Sequence, residues 1–253
     1  MSTQDFKTTE NDIIAELSRL FLQAKETDEF EYISTLINFS GIGDARALDH
    51  ILESKDLIIE FSELVTKASS LHSALRLLLI LYSHVFEMDE LYNIIGNMIR
   101  VTKGERFAFK LYNSPRLTVD LKPANKIDKL KSLAIGTGYE NLIENLASLY
   151  SSPLRNAIFH SSYSLSENDF YITSGKQFKF GNVITSHAEI NSFVLPLTQS
   201  TVNVAGNFFN LFFQSRWNYK EDKIITGRLQ PEGVKIEIIG DELHGLKGWK
   251  TIN

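Results

Sequence analysis

A mainly α fold is predicted for this chain: one helical domain with a small β-hairpin late in the sequence and a short β tail. Three observations predict it. Apolar residues recur at helical spacing through most of the first 150 positions and again from about 190 to 217. Period-two alternation, apart from short runs in the loop after Lys103, falls in two late stretches, "DFYITSGKQFKFG" and "GVKIEIIGDELHGLKGW". No repeat, low-complexity tract or linker divides the 253 residues, a length that one core can serve without staples.

The elements follow in order. "NDIIAELSRLFLQA" places Ile13, Ile14, Leu17, Leu20 and Phe21 on one helical face. "EFEYISTLINFSG" reads as a short helix closed at Gly41, and Asp44 is placed to cap the next helix, "DARALDHILESKDLIIEFSELVTKASS". Residues 71–101 hold two strongly apolar helices that divide near "EMDE". After Lys103 the pattern breaks, with Gly104, Pro115 and Pro123 marking a loop and a short extended run. Helix resumes near Lys126. Thr137 and Glu140 have capping-box spacing before "ENLIENLASLY". Ser152 then caps a helix that opens on Pro153, where a missing amide costs nothing. "FYIT" and "KQFKF" are expected to pair across a turn at Ser174–Gly175. "SHAE" reads as a further capping box, opening a long helix that carries Phe208, Phe209, Phe212 and Phe213 and is kinked near Pro196.

Composition removes several function classes. There is no cysteine, so disulfides and thiolate metal sites are excluded. Neither HExxH nor paired histidines at ligand spacing occur, so no metal and no cofactor is expected. A P-loop and a GxSxG elbow are also missing. The net charge of −5 opposes broad electrostatic binding of nucleic acid, though not a local basic cleft. The longest apolar run, "LRLLLILYSHVF", is too short to span a bilayer, and the polar, acidic N-terminus has no signal-peptide pattern. A cytoplasmic location and no membrane partner are therefore expected.

One stretch carries chemistry. In "SSPLRNAIFHSSYSL", Arg155, Asn156 and His160 fall on one broad side of a helix, with Asn156 and His160 one turn apart. A guanidinium can bind phosphate through two parallel hydrogen bonds. An imidazole can give and take protons near neutral pH. The three groups together suit an anion site with a titratable member. The bland reading is a polar edge that solvates a short helix. Ser161, Tyr163, Lys176 and Lys179 are weaker candidates for substrate contact, since helix-end, hairpin and solvent-facing roles account for them better.

This stretch resembles the Arg-x(4–6)-His signature of the HEPN superfamily, in which a polar residue, often Asn, follows the arginine. The segment after it, "SSYSLSENDFYITSGKQFKFG", and the helices before it, "LYSHVFEMDELYNIIGNMIRV" and "GTGYENLIENLASLY", are similar to that family's pattern over roughly residues 71–219. Residues 1–70 are expected to pack onto that core. The resemblance implies a HEPN-like helical bundle. It also implies a metal-independent endoribonuclease in which a ribose 2′-OH attacks the adjacent phosphodiester, leaving a 2′,3′-cyclic phosphate and a 5′-OH. His160 would then be general acid or base, Arg155 would stabilise phosphate charge, and Asn156 would orient either group. RNA as substrate, a homodimer with a composite cleft and a defence or toxin-like role, with an antitoxin or regulatory protein as partner, belong to the same implication. The alternative is a noncatalytic HEPN-like RNA-binding, regulatory or partner-interaction protein.

Overall fold

The computed structural model describes residues 3–38, 45–108, 122–228 and 233–252. Among the described residues the fold is mainly α, with small antiparallel sheets. Helices α1 (Thr3–Thr27), α2 (Glu29–Asn38), α3 (Ala45–Thr66), α4 (Leu71–Glu87), α5 (Asp89–Thr102), α6 (Pro123–Ala134), α7 (Glu140–Ser148) and α8 (Ser152–Phe159) come first. Five short strands follow: β1 (Tyr163–Leu165), β2 (Asp169–Ile172), β3 (Phe178–Phe180), β4 (Val183–Thr185) and β5 (His187–Glu189). A π-helical turn, Ile190–Val194, leads into the long helix α9 (Leu195–Trp217). Strands β6 (Lys223–Gly227), β7 (Val234–Asp241) and β8 (Gly245–Thr251) form the tail.

Helix α9 is the centre of the bundle. It packs against α1, α3 and α4, and buries Phe208, Phe209 and Phe212. Phe21 of α1 meets Phe208 edge-to-face at 6.4 Å. Helix α1 also lies on α5 and α7, burying Ile13, Leu17 and Leu20 as their spacing predicts. Asp28, between α1 and α2, accepts the amides of Phe30 and Glu31 at 3.1 Å each and so starts α2. Arg216, buried near the end of α9, donates to the Leu246 carbonyl at 2.8 Å and ties the C-terminal sheet to the bundle.

The break between α4 and α5 falls at Met88, as "EMDE" predicts. Its lock is Lys126, which is 3 % exposed. The ammonium donates to the Glu87 carbonyl at 3.1 Å and meets the Asp89 carboxylate at 2.6 Å, tying the end of one helix to the start of the next.

Several local expectations need correction. "FYIT" does not pair with "KQFKF". Strand β2 lies between β1 and β5, which encloses its inward Phe170 and Ile172, while β3 pairs with β4 across the turn at Gly181 (φ 59°). Gly175 (φ 95°) bends the chain without closing a ladder. "SHAE" is not a capping box: His187–Glu189 is strand, because Ala188 is buried opposite Phe170 and the β2 ladder takes its backbone. The wide turn that follows coincides with Pro196, whose missing amide is tolerated in the first turn of α9. The Thr137–Glu140 box is also rearranged. Glu140 accepts the Gly136 amide at 2.6 Å, and Thr137 donates back to the Ala134 carbonyl at 2.6 Å. Gly41, Asp44 and Pro115 lie outside the described residues. No helix among the described residues is long and apolar enough to cross a membrane.

Candidate functional site

The Arg155 helix is set in place from beneath. Tyr82 of α4 is fully buried, and its hydroxyl donates to the Leu149 carbonyl at 3.1 Å while accepting the Ser151 amide at 2.7 Å. Burial pushes the Tyr82 hydroxyl far above the ordinary phenol range, so it stays neutral and keeps its proton to donate. Ser151, one residue before the expected cap at Ser152, caps α8 by accepting the Leu154 amide at 3.4 Å. Leu154 and Ala157, three apart and 0 % and 1 % exposed, turn the apolar side of α8 inward. That roll leaves Arg155, Asn156 and Phe159 on the outer side.

Arg155 reaches the C-terminal end of α4. Its Nε donates to Glu87 Oε1 at 2.9 Å, Nη2 donates to the same oxygen, and Nη1 donates to Asn156 Oδ1 at 3.1 Å. The guanidinium stacks over the Phe159 ring at 4.0 Å. Side-chain exposure is 17 % for Arg155 and 35 % for Glu87, so the pair is half-buried. Asn156 also makes a long contact, 3.5 Å, to Ser152 Oγ. Tyr150 sits at the same corner. Burial raises its hydroxyl above the ordinary range, against the opposing pull of the Ser152 hydroxyl and the Arg155 charge.

His160 is not inside the helix. It is the residue on which α8 ends, with its amide bonded to the Asn156 carbonyl at 3.0 Å and its ring exposed. Ser161 takes φ 50°. The Ser161 amide bonds to the Ile158 carbonyl at 3.1 Å and the Ser162 amide to the Ala157 carbonyl at 2.9 Å, which is a Schellman end. His160 keeps the last helical bond, and its exposed ring faces solvent. Serine in the left-handed region is strained where glycine is not. Ser161→Gly is therefore expected to stabilise the fold by about 1 kcal/mol in urea denaturation. A loss of stability would show that the serine side chain holds the turn.

The other candidates separate from this cluster. Ser161 serves as the helix stop. Tyr163 stacks on Phe170 at 5.0 Å with rings 9° apart, a packing role in the small sheet. Lys176 and Lys179 are exposed, and no hydrogen bond or ion pair among the described residues connects them to Arg155. Glu87, Tyr82 and Tyr150 are the residues that spacing missed. Glu87 lay in plain view beside the "EMDE" break, but only the packing of α4 against α8 brings it to Arg155. It also lines a cleft of about 240 Å³ with Ser54, His84, Met88, Asp89 and Glu90, where carboxylates outnumber cations.

Comparison of the chain with protein-family models, with curated proteins and with solved structures finds no match.

Proposed function

We propose that this chain is a HEPN-like, metal-independent endoribonuclease. The observation that carries the reading is an exposed imidazole on the helix end that follows a pre-positioned guanidinium. The His160 ring faces solvent with no intrachain hydrogen bond among the described residues, while Arg155 on the preceding turn is fixed by Glu87, Asn156 and Phe159. A phosphodiester laid along the outer side of α8 would meet the remaining N–H donors of Arg155. His160 would take the 2′-OH proton or protonate the leaving 5′ oxygen. The half-exposed Phe159 gives an adjacent apolar surface on which a base can rest. A cytoplasmic setting and a regulatory protein partner belong to the same proposal.

One observation favours the noncatalytic reading. Glu87 neutralises Arg155, and the neighbouring cleft adds Asp89 and Glu90. Unless phosphate competes with Glu87, the arginine is a structural strut and the helix an interaction edge.

Incubation of the purified chain with single-stranded RNA, and with DNA of the same sequence, in EDTA separates the two. RNA cleavage that leaves 2′,3′-cyclic phosphate ends, with DNA intact, supports the nuclease; no cleavage across varied RNAs supports the interaction module. Glu87→Gln adds a binding readout. It removes one negative charge within hydrogen-bonding distance of Arg155, so RNA affinity should rise about fivefold at low salt and by less at 0.2 M salt. An unchanged affinity would place bound RNA elsewhere.

A further inference from the structure

The outer face of α9 has no use in the site just described. Six positions define it: Gln199, Asn203, Gly206, Asn207, Asn210 and Gln214. At about 100° per residue they fall within an arc of roughly 100°, as a stripe about 22 Å long. The five carboxamide side chains are exposed, and no charged residue interrupts them. Interface centres are depleted of charge in this way.

The charges stand at the edges of the stripe, not on it. Helix α1 borders the stripe through Ile14 and Ser18 and, at the Gln199–Asn203 end, through Lys7 and Glu10, whose carboxylate accepts from Asn203 Nδ2 at 3.3 Å; its Asp12, Glu16 and Arg19 lie on the far flank. Helix α3 borders it through Ser62, Glu63 and the exposed Ile59. Charge at the rim and none at the centre is the pattern of an interface.

Gly206 is the second observation. It sits in the interior of a 23-residue helix, where glycine is the least favoured residue after proline. Its own chain does not demand it, because a Cβ built there meets no atom within 4 Å. Bare backbone at the centre of an exposed stripe suits the close approach of something from outside.

The third observation is the order of the side chains. The stripe reads Gln, Asn, Gly, Asn, Asn, Gln, and about its midpoint Gln199 mirrors Gln214, Asn203 mirrors Asn210, and Gly206 mirrors Asn207. A carboxamide carries both donor and acceptor, so it pairs with its own kind. Intrachain bonds engage one amine hydrogen each of Asn203, Asn207 and Gln214, which leaves their oxygens and second N–H groups open.

We propose that this face binds a second copy of the chain, with the two α9 helices antiparallel across a two-fold axis beside Gly206. Each carboxamide then meets its mirror partner, and Asn207 of each copy lies over the bare backbone of Gly206 in the other. The contact is isologous and closes as a dimer. Helix α8 packs on α4 and β2 rather than along this face, so the Arg155–His160 edge stays open. The proposal does not rest on nuclease activity.

The absence of cysteine makes the test direct. In the antiparallel register Asn203 lies opposite Asn210 of the other copy, whereas Asn203 lies about 10 Å along the axis from its own symmetry mate, beyond disulfide reach. Asn203→Cys and Asn210→Cys should each remain uncross-linked under mild oxidation, while a mixture of the two variants should give a disulfide-linked dimer on a denaturing gel. Sedimentation of the wild type at micromolar concentration should show a dimer, and Asn207→Arg should reduce it to monomer with unchanged circular dichroism. Gly206→Ala should weaken the dimer at least tenfold while leaving the monomer equally or more heat-stable. A monomeric wild type overturns the proposal. So does cross-linking of either single variant with itself, or a dimer trapped through Phe159→Cys on α8 and not through the Asn203–Asn210 mixture.

Discussion

Tyr82→Phe is expected to lower folding stability by about 3 kcal/mol, although it deletes a single oxygen. The phenol is fully buried and serves two backbone groups at once, the Leu149 carbonyl and the Ser151 amide. Both belong to the turn that ends α7 and starts α8. Removing the hydroxyl leaves a carbonyl and an amide without this partner beside the packed rings of Phe86 and Tyr150. Each stranded group costs about 1–3 kcal/mol, more than a hydrogen bond contributes when it forms. Urea denaturation measures the loss directly. The substitution should also blur the placement of α8, so the proposed RNA cleavage should fall although Tyr82 lies beneath that helix. A stability change below about 1 kcal/mol would mean that Ser151 and Leu149 find other partners, and that the start of α8 is fixed by Ser151 and Pro153 alone.

The helices were legible because burial in a bundle follows a period the sequence displays. Ile13, Leu17 and Leu20 are buried where spacing put them, and so is the break at Met88. The small strands were not legible in their pairing. "FYIT" and "KQFKF" both look like strands, and both are, but three-residue ladders are chosen by what their inward side chains find across the sheet. Phe170 finds Leu165 and Ala188 on β1 and β5, and no local pattern states that. "SHAE" shows the same limit from the other side. Its spacing satisfies a helix cap, yet the ladder to β2 offers those backbone groups more.

The site divides along the same line. Arg155, Asn156 and His160 stood out because they lie within one short helix. That they occupy different settings did not: Arg155 is clasped by a carboxylate 68 positions earlier, and His160 is the exposed residue on which the helix ends, just before a left-handed serine. Sequence spacing treats the two as members of one arc. The fold makes one a fixed, half-buried cation and the other a free, exposed ring, and this contrast gives their substitutions different signatures.

Under the proposed reaction, His160→Ala should lower the rate of RNA cleavage by about 10²-fold or more, the scale of losing a general acid or base. It should leave stability nearly unchanged, because the ring is exposed and the helix stop depends on backbone bonds from residues 160–162. Arg155→Ala should cut the rate comparably, through lost stabilisation of phosphate charge, but with a second cost that His160 does not carry. It strands half-buried Glu87, removes the stacking on Phe159 and takes a donor from Asn156. Solvent screening at a half-buried pair keeps that cost to about 1–2 kcal/mol. Measured side by side in EDTA, the two variants therefore separate chemistry from architecture. Loss of cleavage in both, with destabilisation only in Arg155→Ala, is the nuclease signature. Undiminished cleavage in His160→Ala removes the imidazole from the mechanism and assigns the activity to another site or a contaminant. Destabilisation of Arg155→Ala without any RNA cleavage by the wild type makes the arginine a strut between α4 and α8, and α8 an edge for binding alone.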